Sequence, residues 1–360
     1  MRLGLLACLL TLAAASAQGQ GQVNVYNWSD YIAEDQLKRF TAETGIKVNY
    51  TTYDSNEILD AKLRAGKSGY DVVLPTASPF FVRQLAAGLY QPLDRSKPKN
   101  WSNLDPKIME SLARLDTGNA HGVPWMWGTI GIGYNVAEIK KRMADAPVDS
   151  LSMIFDPSIV SRFADCGVMM MDSATDVLPA AMKFRRIDPD SKATEDLNRA
   201  GEVIKAIRPH IRKFHSSEYI NALAGGDICL AFGYSGDILQ ARDRGAKAAT
   251  PRDIAFANPT QGTMLWIDVA AIPKDAPNPD AAHRFLDFML DPKTAAASTT
   301  LTRYANANLA ATALLDPSIS GNRAIYPNAD DRARLYTISP GTPEQIRERT
   351  RLWTTIKTGR

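Results

Sequence analysis

From Val23 onward the chain alternates short apolar runs with amphipathic stretches, in the order strand, helix, strand, helix, strand. "VNVYNW" (23–28) has the period-two pattern of a half-buried strand. A helix is expected over Glu34 to Glu43, with Leu37 and Phe40 three apart and Gly45 placed to end it. "IKVNYTTY" alternates again, and Asp54 with Glu57 has the form of a capping box opening the helix "EILDAKLRAG". "YDVVLP" reads as a fully apolar third strand and "SPFFVRQLAAG" as a third helix.

The pattern resumes less cleanly later. "GTIGIGYN" reads as a strand leaving a first domain, and "CGVMMMD" as a buried strand ending at Asp172. "DICLAFGYSGD" reads as another strand, followed by the helix "DILQARDR". "TMLWIDVAAIP" then gives a strand and "PDAAHRFLDFML" a helix. Such alternation implies an α/β fold with mostly parallel sheets covered by helices. Two α/β lobes fit the length better than one sheet. No internal repeat or low-complexity linker divides them, so the chain is expected to cross between lobes more than once.

The N-terminus changes where the fold begins. Met1-Arg2, an apolar run of 13 residues and Ala15-Ser16-Ala17 have the form of a signal peptide. Residues 1–17 are therefore expected to be removed. The run is shorter than the ~20 residues a membrane helix needs, and a lipoprotein reading of Leu5 to Cys8 would leave too short a signal. Export leaves Cys166 and Cys229 as a pair in a compartment where disulfides persist, either bridged or separate buried thiols.

With 360 residues, 45% hydrophobic and 22% charged, the chain reads as an ordinary globular protein long enough for two domains. The formal net charge of +3, one less without Arg2, is too near neutral and too interspersed for a nucleic-acid or membrane surface.

Catalytic and cofactor motifs do not assemble. Gly66-Lys67-Ser68 has Ala61 where a phosphate-binding loop needs glycine, and its helix precedes it. Gly128, Gly131 and Gly133 do not form a dinucleotide fingerprint and suit strand packing or a hinge. His121, His210, His215 and His283 lack metal-ligand spacing, and no nucleophile elbow accompanies them. The sequence thus points to no catalytic residue, no metal and no cofactor.

What recurs is an aromatic beside a carboxylate where strands are expected to end: Trp28 with Asp30 and Tyr31, Tyr234 with Asp237, Trp266 with Asp268. Each pair alone suits core packing and helix capping. Three together suit a ligand with an apolar body and cationic ends. A carboxylate about 4 Å from an ammonium contributes on the order of 4 kcal/mol at an effective dielectric near 20. A desolvated cation–π contact adds roughly 2 kcal/mol, and each methylene on a ring face about 0.8 kcal/mol.

The chain resembles the periplasmic polyamine-binding proteins of ABC transporters, the putrescine/spermidine family. The resemblance runs from about Val23 to Lys357 through "NVYNWSDYI", "TGIKVNY", "DSNEILDAKLRAG", "QPLDRSK", "GIGYNV", "FHSSEYINALAGGDICLAFGYSGD" and "YANANLAAT". It implies a type II binding-protein fold with a ligand cleft between two lobes. Lobe 1 is expected over 23–131 plus 262–311, and lobe 2 over 132–261 plus 312–360. Carried over by position, the ligand residues are Trp28, Ser29, Asp30, Tyr31, Thr76, Ser78, Asp176, Ser216, Tyr234, Asp237, Trp266, Asp268 and Tyr304.

The resemblance also implies a Cys166–Cys229 disulfide, permease subunits as partners, and a monomer. Tyr234 stands where putrescine-type members usually carry Trp, Asp176 where they carry Glu, and Trp266 where they carry Phe and spermidine-type members Trp. The ligand expected is putrescine, with spermidine, cadaverine or agmatine as alternatives. A role in amine sensing is compatible with the same pocket. An amino-acid ligand would call for a cleft arginine that these motifs lack, and a hydrolase built on paired aspartates has no supporting motif.

Overall fold

The computed structural model describes residues 21–29 and 31–359. The signal-peptide reading of residues 1–17 and the ligand role of Asp30 lie outside the described residues.

Eleven strands form one continuous hydrogen-bonded system among the described residues. They are β1 (Gln22–Trp28), β2 (Lys47–Tyr53), β3 (Val72–Val73), β4 (Gly122–Asn135), β5 (Val168–Met170), β6 (Lys213–Phe214), β7 (Leu230–Tyr234), β8 (Ile254–Ala257), β9 (Thr263–Ala271), β10 (Ala305–Asn306) and β11 (Leu335–Tyr336). The main path is β2-β1-β3-β9-β4-β7-β5-β6, with β8 and β10 on β4 and β11 on β9. β1 runs parallel to β2 and β3, and β5 runs parallel to β6 and β7. Helices follow these parallel strands, as a crossover between parallel neighbours requires.

Two lobes arise because β4 belongs to both halves. Its residues Gly122–Thr129 pair antiparallel with β9, whereas Ile130–Tyr134 pair with β7 and Ile132–Asn135 with β8. Gly131 sits just past the change of partner. A Cβ there would stand 2.4 Å from the Ala257 carbonyl oxygen, so the crossing tolerates only glycine.

Local chemistry accounts for most of the element boundaries. The helix Glu34–Thr44 buries Phe40 and ends at Gly45, whose φ of 71° is left-handed. Phe40 meets Phe285 and Phe288 edge-on, both at 5.2 Å, on the helix Pro279–Met289. The helix Asn56–Arg64 is capped by Ser55, whose hydroxyl accepts the Ile58 N–H at 3.3 Å. This corrects the expected capping box: Asp54 lies outside the helix, and its side chain faces the cleft. The third apolar stretch pairs only over Val72–Val73. The expected 78–88 helix excludes Ser78, whose φ/ψ of −121°/134° are extended; a wide π-type turn reaching Phe81 leads into the helix Val82–Ala86.

Cys166 and Cys229 form a disulfide, with Cα atoms 5.5 Å apart. It ties the residues before β5 to the start of β7 in the second lobe. Closing a loop of 63 residues stabilises the fold by on the order of 4 kcal/mol in the chain-entropy account.

Candidate functional site

The cleft lies where the parallel strands of both lobes end, the position open α/β sheets offer a ligand. It encloses about 770 Å³, part of it open to solvent. Every sequence-assigned ligand residue among the described ones lines it: Trp28, Ser29, Tyr31, Thr76, Ser78, Asp176, Ser216, Tyr234, Asp237, Trp266, Asp268 and Tyr304. Trp266 and Asp268 are not at a strand end as the sequence suggested. They lie within β9, which runs antiparallel across the floor between the lobes and so presents its middle to the cleft.

Among the described residues Asp54, Asp176, Asp237 and Asp268 line this space, and the last three are held by hydroxyl donors. Asp268 receives the Tyr31 hydroxyl on Oδ2 and the Thr76 hydroxyl on Oδ1, both at 2.7 Å. Thr76 is itself fixed by Asn56, whose amide donates to its hydroxyl at 3.0 Å and accepts its backbone N–H at 3.1 Å. Asp237 receives the Tyr219 hydroxyl at 2.6 Å, and the Tyr304 hydroxyl reaches it from the other lobe. Asp176 receives the Tyr234 hydroxyl at 2.8 Å.

Burial raises the carboxyl of Asp268 to about 7, against the opposing pull of the Thr76 and Tyr31 hydrogen bonds. Burial also raises Asp176, opposed by hydrogen bonds from Ser173 and Tyr234. Among the described residues neither has a lysine, arginine or histidine within ion-pair distance, although the positive charge of Arg349 also pulls Asp176 down from further away. Ionising two buried carboxylates without a partner is costly, so the site favours a cation supplied from outside.

The walls are aromatic. Trp266 packs edge-on to Tyr304 at 4.8 Å and to Tyr234 at 5.9 Å, and Tyr304 meets Tyr31 at 5.9 Å. The Trp28 indole N–H donates to the Leu74 carbonyl at 2.8 Å, and its ring lies 4.6 Å from Tyr53. These contacts fix ring faces around a narrow space, as a flat-sided aliphatic ligand requires.

Sequence reasoning missed Tyr53, Asp54, Asn56, Phe80, Thr175 and Ile220, which also line the cleft. Tyr53 and Asp54 follow the same strand-end logic as Trp28 and were open to discovery. Tyr219 carried no signal: it lies inside the helix Glu218–Gly225, and only the fold brings its hydroxyl to Asp237.

The family model for bacterial extracellular solute-binding protein matches residues 35–325. The chain belongs to that family. This solute-binding protein is 45% identical to the putrescine-binding periplasmic protein SpuD of Pseudomonas aeruginosa (strain UCBPP-PA14), covering 100% of this chain and 99% of that one. It is also 45% identical to the putrescine-binding periplasmic protein PotF of Escherichia coli (strain K12), over 97% and 94% of the two chains. Among solved structures, a putative spermidine/putrescine ABC transporter from Listeria monocytogenes superposes with a TM-score of 0.84 at 29% identity, covering 94% of this chain and all of that one. The resemblance to the polyamine-binding proteins is thus borne out, as is the two-lobed fold.

Proposed function

We propose that this solute-binding protein captures a linear polyamine, putrescine first, in the cleft between its lobes and delivers it to an ABC permease. The observation that carries this reading is the pair of buried carboxylates, Asp176 and Asp268, without an ion-pair partner among the described residues and set between aromatic walls. An ammonium at each end and methylenes against the rings satisfy what the site leaves open. Trp28, Ser29, Tyr31, Thr76, Ser78, Ser216, Tyr234, Asp237, Trp266 and Tyr304 complete the proposed ligand set, with Asp30 beside them in sequence.

Putrescine is placed first on the 45% identity to two putrescine-binding relatives, and the three departures reshape the pocket that would receive it. The Tyr234 hydroxyl holds Asp176 at 2.8 Å, so the shorter acid and the smaller ring act as one unit. Trp266 is packed between Tyr234 and Tyr304 and thickens the wall. Spermidine, cadaverine and agmatine are the alternatives in the same pocket, and the same capture could serve amine sensing. We assign no catalytic role: the carboxylates accept tyrosine and threonine hydroxyls.

The lobe boundaries are proposed with one revision. Tyr326 packs edge-on to Trp127 at 6.1 Å and accepts the Asn306 amide at 3.2 Å, so residues up to about 326 go with lobe 1 and the final crossing comes later. We further propose an exported monomer that has lost residues 1–17.

Isothermal titration of the mature protein, freed of carried-over ligand, tests the reading against putrescine, cadaverine, agmatine, spermidine and spermine. One-to-one binding of a short diamine, tighter than spermidine, is expected. No preference for any amine over glycine betaine would overturn it.

A further inference from the structure

One peptide unit is hydrogen-bonded to both lobes. The carbonyl of Ile338 accepts the hydroxyl of Ser78, from the loop after β3 in lobe 1. The N–H of the same peptide, on Ser339, donates to Asp190 Oδ1 at 2.8 Å, and the Ser339 hydroxyl donates to Asp190 Oδ2 at 2.7 Å. Asp190 lies between the helices Ala174–Phe184 and Thr194–Ile207 of lobe 2. Lys192 clamps the junction, donating to Asp190 at 2.7 Å and to the Ser339 carbonyl at 2.9 Å.

The bridging segment is itself anchored. It leaves β11, which pairs with Thr263–Met264 of β9, and enters the helix Pro343–Thr358, which packs on both lobe 2 helices that flank Asp190. Ile338 is 3% exposed, so its carbonyl depends on a protein donor. Ser78 is the donor it finds, and because the same peptide is held by Asp190 of lobe 2, the two bonds together tie the lobes to one another.

We infer that the Ile338–Ser339 peptide is a closure latch, with Ser78 as its lobe 1 contact and Asp190 as the positioning residue that presents it from lobe 2. Ser78 lines the pocket, but its hydroxyl hydrogen is given to the latch. Asp190 and Ser339 do not line the cleft. They control how long a ligand stays by holding the peptide at the height where Ser78 can reach it. The N–H bond to a carboxylate polarises the peptide and strengthens the carbonyl as an acceptor on its far side.

This inference rests on the ligand-capture reading, so the test includes a readout that needs no ligand. Ser78→Ala, Asp190→Ala, Ser339→Ala and the double variant Ser78→Ala/Asp190→Ala are compared with the unaltered protein. Release of putrescine by stopped flow is expected to be about fivefold faster in the Ser78 and Asp190 single variants, the worth of one hydroxyl–carbonyl bond. The double variant is expected to match the singles, because either change opens the same latch. Energy transfer between labels on the two lobes, without added amine, is expected to shift to longer separations in both. Ser339→Ala keeps the N–H and loses only the hydroxyl, and is expected to fall between. Asp190→Ala with unaltered release and unaltered inter-lobe separation overturns the latch, even where Ser78→Ala weakens binding by direct contact. If the unaltered protein binds no amine, the function reading fails, while the inter-lobe measurement still decides the latch.

Discussion

Capture of an ammonium ion by Asp268 should release a proton, and the affinity should therefore depend on pH. The carboxyl is raised to about 7 by burial, against the hydrogen bonds it accepts from Thr76 and Tyr31. Near neutral pH about half the molecules hold it protonated, and an amine meets a carboxyl that must first ionise. The amines stay charged throughout this range, with values near 10 as for lysine. Apparent affinity should then fall as pH drops through 7, roughly tenfold between pH 8 and pH 6 and roughly a hundredfold between pH 8 and pH 5.

The stability effect has the opposite sign without ligand. A carboxyl raised above its unfolded value of ~3.9 binds its proton more tightly in the native state, so ionisation costs stability as pH rises through 7. A shift to about 7 is worth at most on the order of 4 kcal/mol. Bound diamine removes that cost, so the rise in Tm on adding putrescine should grow from pH 5.5 to pH 8. The assay is titration calorimetry from pH 5 to 8 in buffer pairs of different ionisation enthalpy. About half a proton should be released at pH 7 and close to one at pH 6. Affinity constant within twofold from pH 8 to 5.5, with heats independent of buffer, would show that Asp268 does not exchange a proton for the ligand.

Other expectations bear on different links of the argument. Asp237→Asn should weaken putrescine binding by about 2–3 kcal/mol in a titration, and lower stability by about 1 kcal/mol because one of the Tyr219 and Tyr304 hydroxyls loses its acceptor; unchanged affinity would place the residue outside the ligand's reach. Gly236→Ala should hold the lobes apart, since an added Cβ would stand 2.5 Å from the Tyr304 ring and 2.6 Å from the Thr302 carbonyl oxygen. Scattering with saturating putrescine should show a larger radius of gyration than the unaltered protein, and superimposable profiles would refute the clash. Replacing Cys166 and Cys229 by serine together should cost about 2–4 kcal/mol in denaturant unfolding while leaving the ligand preference unchanged; a changed preference would mean the bridge shapes the cleft.

The strand ends were legible because two local rules coincide there. Alternation in "VNVYNW" and the apolar run ending at Tyr234 locate where a parallel strand stops, and ligands sit at such stops. Aromatics and carboxylates recurring together at several such points suit a ligand with an apolar body and cationic ends better than core packing and helix capping repeated by chance. Elsewhere the sequence misled for physical reasons. Asp54 and Glu57 have capping-box spacing, yet Ser55 between them reaches the helix N–H with a shorter side chain, leaving Asp54 to face the cleft. Trp266 and Asp268 looked like another strand end because alternation cannot tell a parallel strand from an antiparallel one that crosses between lobes.

The parts that were not legible share a cause: they depend on which residues meet after the lobes are assembled. Asp237 is read from the sequence as a ligand, but the hydroxyls that orient it come from Tyr219, eighteen residues before it, and Tyr304, sixty-seven after. Asp190 and Ser339 are 149 residues apart, and neither carries a pattern that distinguishes it from an ordinary surface polar residue. The contrast follows from the chemistry of capture. Ligand contacts must be displayed at fixed places on each lobe and so leave a local mark in the sequence. Contacts that hold the lobes together need only complementary groups at the right height, and any hydroxyl, carboxylate or peptide serves. Affinity in a two-lobed protein is therefore written partly in residues that never touch the ligand, and substitutions outside the pocket are where related proteins with similar clefts have room to differ in how long they hold what they bind.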